Sequence, residues 1–255
     1  MPDWHAVLSA PGSPTSADAP DAALSPAWKI LLYGDGSPTR LLSLLTGAPM
    51  AVAVLGREEV RLDLCSPEPA ASDGLIAAGV PARSLRGLLD GAEAGALARR
   101  RVWLESARGE RLGYAVSWWR GADLDQLLPG SDAARPIGGA IAATKLDVHR
   151  ELLAVVRGHN AALELELAGA HSAGWGDPGN SGAGDSRGES CEAAAGGGEH
   201  SKAVEGSDGR RAGDGGGPLW ARFYAMHRGG RQLNLIVEVF CPAQLERHVG
   251  PLWIV

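Results

Sequence analysis

Two stretches of this 255-residue chain alternate apolar and polar residues on either side of a glycine-containing turn, and each reads as a β-hairpin. In the first, Arg101-Val-Trp-Leu-Glu-Ser106 and Arg111-Leu-Gly-Tyr-Ala-Val-Ser-Trp-Trp119 flank Ala107-Arg108-Gly109-Glu110. In the second, Leu219–His227 and Gln232–Phe240 flank Arg228-Gly229-Gly230-Arg231. Two-residue loops set the register. Arg101 then opposes Val116 and Trp103 opposes Tyr114, placing Arg101, Trp103 and Glu105 on one polar, aromatic face that suggests a site. The same rule sets Arg222 against Val237 and Glu238 against Ala221, on opposite faces. One of the two then lies outside any shared pocket, unless a bulge shifts the register.

Between the hairpins, residues 168–217 are dominated by Gly, Ala, Ser and charge, and cannot bury enough apolar area to offset their ordering entropy. A disordered insert is expected over 169–217. Closing such a loop costs only roughly 0.6 kcal/mol per doubling of its length, so a folded domain tolerates it. Residues 1–27, rich in Ala, Ser and Pro, read as a disordered tail, leaving 28–255 as one domain interrupted by the insert.

Shorter elements are punctuated more locally. Ser37 can cap a helix that Pro38 starts and Gly47 ends, with Leu41, Leu42, Leu44 and Leu45 as its apolar face. Met50–Leu55, a turn at Gly56-Arg57-Glu58-Glu59 and residues 60–64 read as strand, turn and strand. Helical turns are expected at 81–91, 123–128, 136–143 and 243–248. Val148, Leu152, Val155 and Val156 fall at helical spacing before Gly158, whereas Leu163-Glu-Leu-Glu-Leu167 alternates like a half-buried strand.

Composition excludes several classes. A net charge of -6 argues against a nucleic-acid surface, and an anionic ligand would need local arginines. Cys65, Cys191 and Cys241 lack CxxC spacing, so neither a zinc site nor a disulfide framework is indicated. No run approaches the apolar length of a membrane span. A soluble intracellular protein is expected, cytoplasmic or plastid, with the oligomeric state open.

The segments "LLYGDGSPTRLLSLLTG", "RRVWLESARGERLGYAVSWW", "RPIGGAI", "RELLAV" and "PLWARFYAMHRGGRQLNLIVEVFCP" follow one another in an order that resembles the chorismate lyase family, more closely its plastid and cyanobacterial branch. The resemblance runs from Trp28 to Gly250. It implies an α+β fold, a single domain with an antiparallel sheet of about six strands and helices packed against it. It also implies a buried pocket for an aromatic carboxylate, no cofactor and no metal, and conversion of chorismate to 4-hydroxybenzoate and pyruvate.

Carried over residue by residue, the family's carboxylate-binding arginine falls on Arg101, eight positions before Gly109. Its fork matches a carboxylate bidentately. Arg99 and Arg100 adjoin it, and an alignment anchored on "VWL" would put Glu105 there instead. The family's site glutamate falls on Glu238 in "IVEVF", costly in an apolar strand unless paired or protonated. Ile137 matches a position whose backbone N–H meets the ligand carboxylate. Ser37 and Thr39, with Asp35, belong to a turn beside the pocket, and Arg222 matches a recurrent arginine. Trp103, Trp118, Trp119 and Trp220 fit plain core, and His149, His159 and His227 are given no chemistry.

In the reaction so implied, the leaving side chain accepts the ring hydrogen, and the protein holds the carboxylate, orients the side chain and excludes water. Glu238 would hydrogen-bond the ring hydroxyl. The other reading of the same fold is a non-catalytic, sensor-like domain binding aromatic acids.

Overall fold

The computed structural model describes residues 3–9, 23–61, 82–90, 96–129, 134–169 and 218–253. The expected disorder of 10–22 and of 170–217 lies outside these residues, as do Cys65 and Cys191.

A seven-stranded antiparallel sheet in the order β1-β5-β6-β7-β4-β3-β2 organises the domain. Its strands are β1 (Asp3–Ser9), β2 (Met50–Arg61), β3 (Ala96–Ser106), β4 (Arg111–Trp119), β5 (His149–His159), β6 (Leu219–Arg228) and β7 (Arg231–Phe240). The strand beyond the six expected is β1, which lies within the segment read as a tail and pairs with β5 from Asp3↔His159 to Ser9↔Ala154. The helices are α1 (Pro26–Tyr33), α2 (Pro38–Thr46), α3 (Ala82–Leu89), α4 (Gly121–Leu127), α5 (Ile137–Thr144), α6 (Ala161–Gly169) and α7 (Pro242–Val249).

Each sheet face is covered. On one, Trp103, Tyr114, Val116, Trp118, Phe223 and Val237 form a core with Leu88 of α3 and Leu167 of α6. The other face carries two apolar clusters. One gathers Trp28, Leu31 and Leu42 of α1 and α2 with Trp220 and Phe240. The second gathers Leu124 and Ala140 of α4 and α5 with Trp119, Tyr224 and Ile236. All four tryptophans considered above are thus core.

Three elements differ from the sequence reading. Met50–Arg61 is one continuous strand with a bulge at Leu55. The Gly56–Glu59 segment does not turn because it pairs with Arg101, Arg100, Arg99 and Ala98 in succession, setting Glu58 opposite Arg99. The segment expected to be helical around Leu152 and Val156 is strand β5, and "LELEL" is helix α6. For β5, long-range pairing to β1 and β6 outweighs a 3.6-residue coincidence among β-branched residues. For α6, Asn160 caps the helix. Its Oδ1 accepts from the Leu163 N–H at 3.1 Å, and its own N–H donates to Glu164 Oε1 at 3.1 Å.

The two hairpins meet the register rule differently. In β3/β4 the loop holds one residue more than expected, with Ser106 N–H donating to Glu110 O, and an unpaired Leu112 restores the expected pairs. Arg101 does oppose Val116, and Trp103 opposes Tyr114. In β6/β7 a bulge leaves Leu233 unpaired, and Arg222 pairs directly with Glu238. Side chains stabilise that bulge: Asn234 Oδ1 accepts from Met226 N–H, and Gln232 Nε2 donates to Asn234 O.

Candidate functional site

Strand parity decides which side chains share a surface. Across the sheet, Arg100, Ser117, Ile236 and Tyr224 stand in one row, and Val102, Ala115, Glu238 and Arg222 in the next. Both rows lie between the two apolar clusters of the helix-rich face. There all of them but Arg222 line a cavity of about 40 Å³ closed by Ser37, Pro38 and Thr39 at the α2 start and by Pro136, Ile137 and Gly138 at the α5 start.

Arg100, not Arg101, reaches this cavity. Its residue is 4% exposed, and its Nη2 donates to the Arg135 carbonyl at 3.2 Å. Burial, with Arg57 nearby, lowers its pKa to about 10, so it remains a cation at neutral pH. The burial cost of that charge is what an incoming carboxylate would offset. Arg101 projects from the opposite face. Its guanidinium is 41% exposed and lies 3.2 Å from Glu58 Oε1, the same oxygen that accepts from Arg99 Nε and Nη2 at 3.1 and 2.8 Å. Those Arg99 bonds hold the Glu58 carboxyl below the usual carboxylate range. Glu105 faces away from the cavity as well, 3.6 Å from Arg111 Nε. A single arginine on an otherwise apolar face with Val102 and Leu104 was the available signal for Arg100.

Glu238 and Arg222 are both 1% exposed, and their side chains meet at 2.6 Å between Oε2 and Nε. The other carboxylate oxygen accepts from the Tyr224 hydroxyl at 2.6 Å. Arg222 uses its remaining donors on backbone carbonyls: Nη1 to Leu31 and Gly34, each at 2.7 Å, and Nη2 to Gly36 at 3.2 Å. One buried arginine thereby ties the sheet to the loop between α1 and α2. Burial first, then the Glu238 charge, pushes the Tyr224 phenol well above its ordinary range, so it stays a donor.

Ser37 and Thr39 hydrogen-bond each other, Oγ to Oγ1 at 2.9 Å, and no side-chain cap bond forms at Ser37. The capping expectation holds for position, with Pro38 beginning α2 and Gly47 ending it at φ 67°. Ile137 is the first residue of α5. Its first intrahelical bond runs from Ala140 N–H to Pro136 O, so the 137–139 N–H groups precede the helical ladder. Gly138 packs so closely that an added Cβ would lie 2.6 Å from Ser37 Cβ and Oγ. Gly138→Ala is therefore expected to wedge α5 from α2 at a cost of about 1–3 kcal/mol, measured by chemical denaturation.

Outside this cavity lies a cleft of about 620 Å³ that shares Ser37, Thr39, Pro136, Gly138 and Arg150 with it. Of the residues singled out from sequence, Ser37, Thr39, Ile137 and Glu238 border the inner cavity, Arg222 stands behind Glu238, and Arg101 is excluded. Arg150, Tyr224 and Ser117 join it unanticipated. Among the described residues no group of three His, Cys, Asp or Glu side chains could hold a metal.

Residues 32–176 match the sequence profile of the family described as Chorismate pyruvate-lyase Rv2949c-like, more than half of the chain. The chain belongs to this family. No curated protein matches it. PhnF from Mycobacterium smegmatis is similar in structure at 11% identity and a TM-score of 0.45, over 83% of this chain and 66% of that one. Gene product SA0254 from Staphylococcus aureus is 10% identical at a TM-score of 0.42, over 82% and 90%. The ligand-binding domain of a protein assigned to the GntR family of transcriptional regulators, from Bordetella bronchiseptica, is 13% identical at 0.40, over 76% and 86%. At such values, what a family member of this kind binds must be argued from its own residues. No helix among the described residues is long and apolar enough to cross a membrane.

Proposed function

We propose that the cavity and the adjoining cleft together bind a small aromatic carboxylate, with Arg100 in the inner cavity as the carboxylate anchor and the ring extending into the cleft, and that the protein acts as a non-catalytic binding domain. The observation that carries this reading is the buried guanidinium of Arg100 bordering a cavity in which the carboxylate present, Glu238, is engaged by Arg222 and Tyr224. The α5 N-terminus beside it adds N–H donors for the same carboxylate, Ile137 first among them. Glu238 has both oxygens engaged by Arg222 and Tyr224. It is thus built as a fixed acceptor, and a substrate proton would have to displace one of those donors.

The family match supports a second reading, elimination of pyruvate from chorismate to leave 4-hydroxybenzoate. Substrate-assisted elimination asks the protein mainly for positioning, which Arg100 and Ile137 could supply. A plastid or cyanobacterial affinity, and with it a role in quinone-related aromatic synthesis, rests on the quoted motifs alone.

The two readings separate in one assay. Binding without turnover predicts that 4-hydroxybenzoate raises the melting temperature while chorismate yields pyruvate only at its spontaneous rate. Equimolar pyruvate and 4-hydroxybenzoate above that rate would establish the lyase.

A further inference from the structure

His149 on β5 and His227 on β6 stand directly opposite each other in the sheet. Opposed side chains of an antiparallel pair have Cβ atoms about 4.5–5.5 Å apart, close enough for both to reach one ion. The ring centres are 6.5 Å apart, with 41° between the planes. Strand parity puts both rings on the sheet face away from the inner cavity, because Arg150 and Tyr224, which border that cavity, alternate with them. Neither ring is a core group: His149 is exposed, and the His227 side chain is 24% exposed.

The surroundings favour a cation. A cleft of about 320 Å³ at this end of the sheet is lined by Asp147, His149, Glu151, His227, Gly229 and Gly230, two of them acidic and none Lys or Arg. Its approach is open, since a Cβ added at Gly229 or Gly230 would meet no atom within 4 Å. His227 Nε2 is shielded from solvent and lies 3.1 Å from Glu151 Oε2. A carboxylate beside one ring nitrogen keeps the proton there and orients the ring, which leaves the other nitrogen, Nδ1, as the metal ligand.

We infer that His149 and His227 chelate one late first-row divalent ion, such as Zn²⁺, which imidazole prefers and which Mg²⁺ or Ca²⁺ would not replace. No three donors converge among the described residues, so the site is a two-imidazole chelate completed by water, with Glu151 orienting His227 from outside it. Two imidazoles on a tetrahedral ion hold their ring centres about 5 Å apart, given Zn–N bonds of about 2.0–2.1 Å, so the rings close by about 1 Å on binding. The ion staples β5 to β6, strands that are neighbours in the sheet but far apart in sequence, and a clip that closes so long a loop stabilises the fold. The site is separate from the carboxylate reading and is tested without it.

Calorimetric titration of metal-stripped protein with zinc chloride should give a Kd of about 10 μM or tighter, and magnesium chloride no heat of binding. At about 100 μM Zn²⁺ the melting temperature should rise by about 3 °C or more. His149→Gln and His227→Gln should each weaken zinc binding about tenfold or more, Glu151→Gln about tenfold, and His159→Gln, at the far end of β5, less than about twofold. Unliganded melting temperatures within about 2 °C of the native value would report intact folds. Electron paramagnetic resonance of the Cu²⁺ form needs no variant, and should show hyperfine splitting from two imidazole nitrogens. Zinc affinity unchanged in His149→Gln or in His227→Gln would overturn the inference, because one imidazole or another site would then carry the ion. Native zinc binding weaker than about 1 mM, or a single-nitrogen Cu²⁺ spectrum, would overturn it as well.

Discussion

Replacing Arg222 by leucine should cost about 3–5 kcal/mol of unfolding free energy, the largest stability effect expected of any single substitution in the site. The change strands the Glu238 carboxylate at 1% exposure and leaves the Leu31, Gly34 and Gly36 carbonyls without their guanidinium donor. An unpaired buried charge is far more costly than the pair itself is stabilising. Two consequences follow. Glu238→Gln should lose a comparable amount by stranding the arginine instead, and the double replacement by leucines should lose less than the sum of the two singles. Urea denaturation of the four proteins measures this, and a loss below about 1 kcal/mol for Arg222→Leu would contradict the arrangement.

Arg100→Met should behave oppositely: stability unchanged or raised, and 4-hydroxybenzoate affinity lowered by about a hundredfold or more. Stability should hold because the native protein bears the cost of keeping Arg100 charged in a buried place, and methionine fills similar volume without charge. The affinity estimate follows from losing two charge-assisted hydrogen bonds of about 1.5–3 kcal/mol each. Arg101→Met, on the other face and ion-paired to Glu58, should change affinity less than about twofold. Denaturation and titration calorimetry on the same preparations separate the two effects.

The contrast between neighbouring arginines shows where sequence reading works and where it stops. The hairpin from Arg101 to Trp119 was legible because β-branched and aromatic residues alternate about Gly109, and even its register came out right. That agreement depended on a longer loop and an unpaired Leu112 cancelling each other, which no periodicity reveals. In the second hairpin nothing cancels the bulge at Leu233, so parity separated Arg222 and Glu238, which the fold pairs. Polar residues at Gln232 and Asn234, inside an otherwise apolar strand, were the trace it left.

Parity also framed the choice of face, and the cavity proposed as the site lies on the face opposite Arg101. A face carrying Arg101, Trp103 and Glu105 looks functional because it is polar. The proposed pocket lies where Arg100 shares a face with Val102 and Leu104, since burial makes a charge consequential. Swapping the types of β5 and α6 has a different cause. Periodicity in short segments is weak beside a reciprocal cap at Asn160 and two long-range strand pairings. Arg150 stayed out of view because its place at the site comes from the loop and the cavity it borders, both assembled from distant parts of the chain.

A crystal structure of the protein with 4-hydroxybenzoate tests the central claim most directly. The predicted result is a ligand carboxylate within hydrogen-bonding distance of the Arg100 guanidinium and the Ile137 N–H, with the ring extending toward the outer cleft. A carboxylate held instead by Arg101 on the opposite face, or a ligand seated away from Arg100, would contradict it.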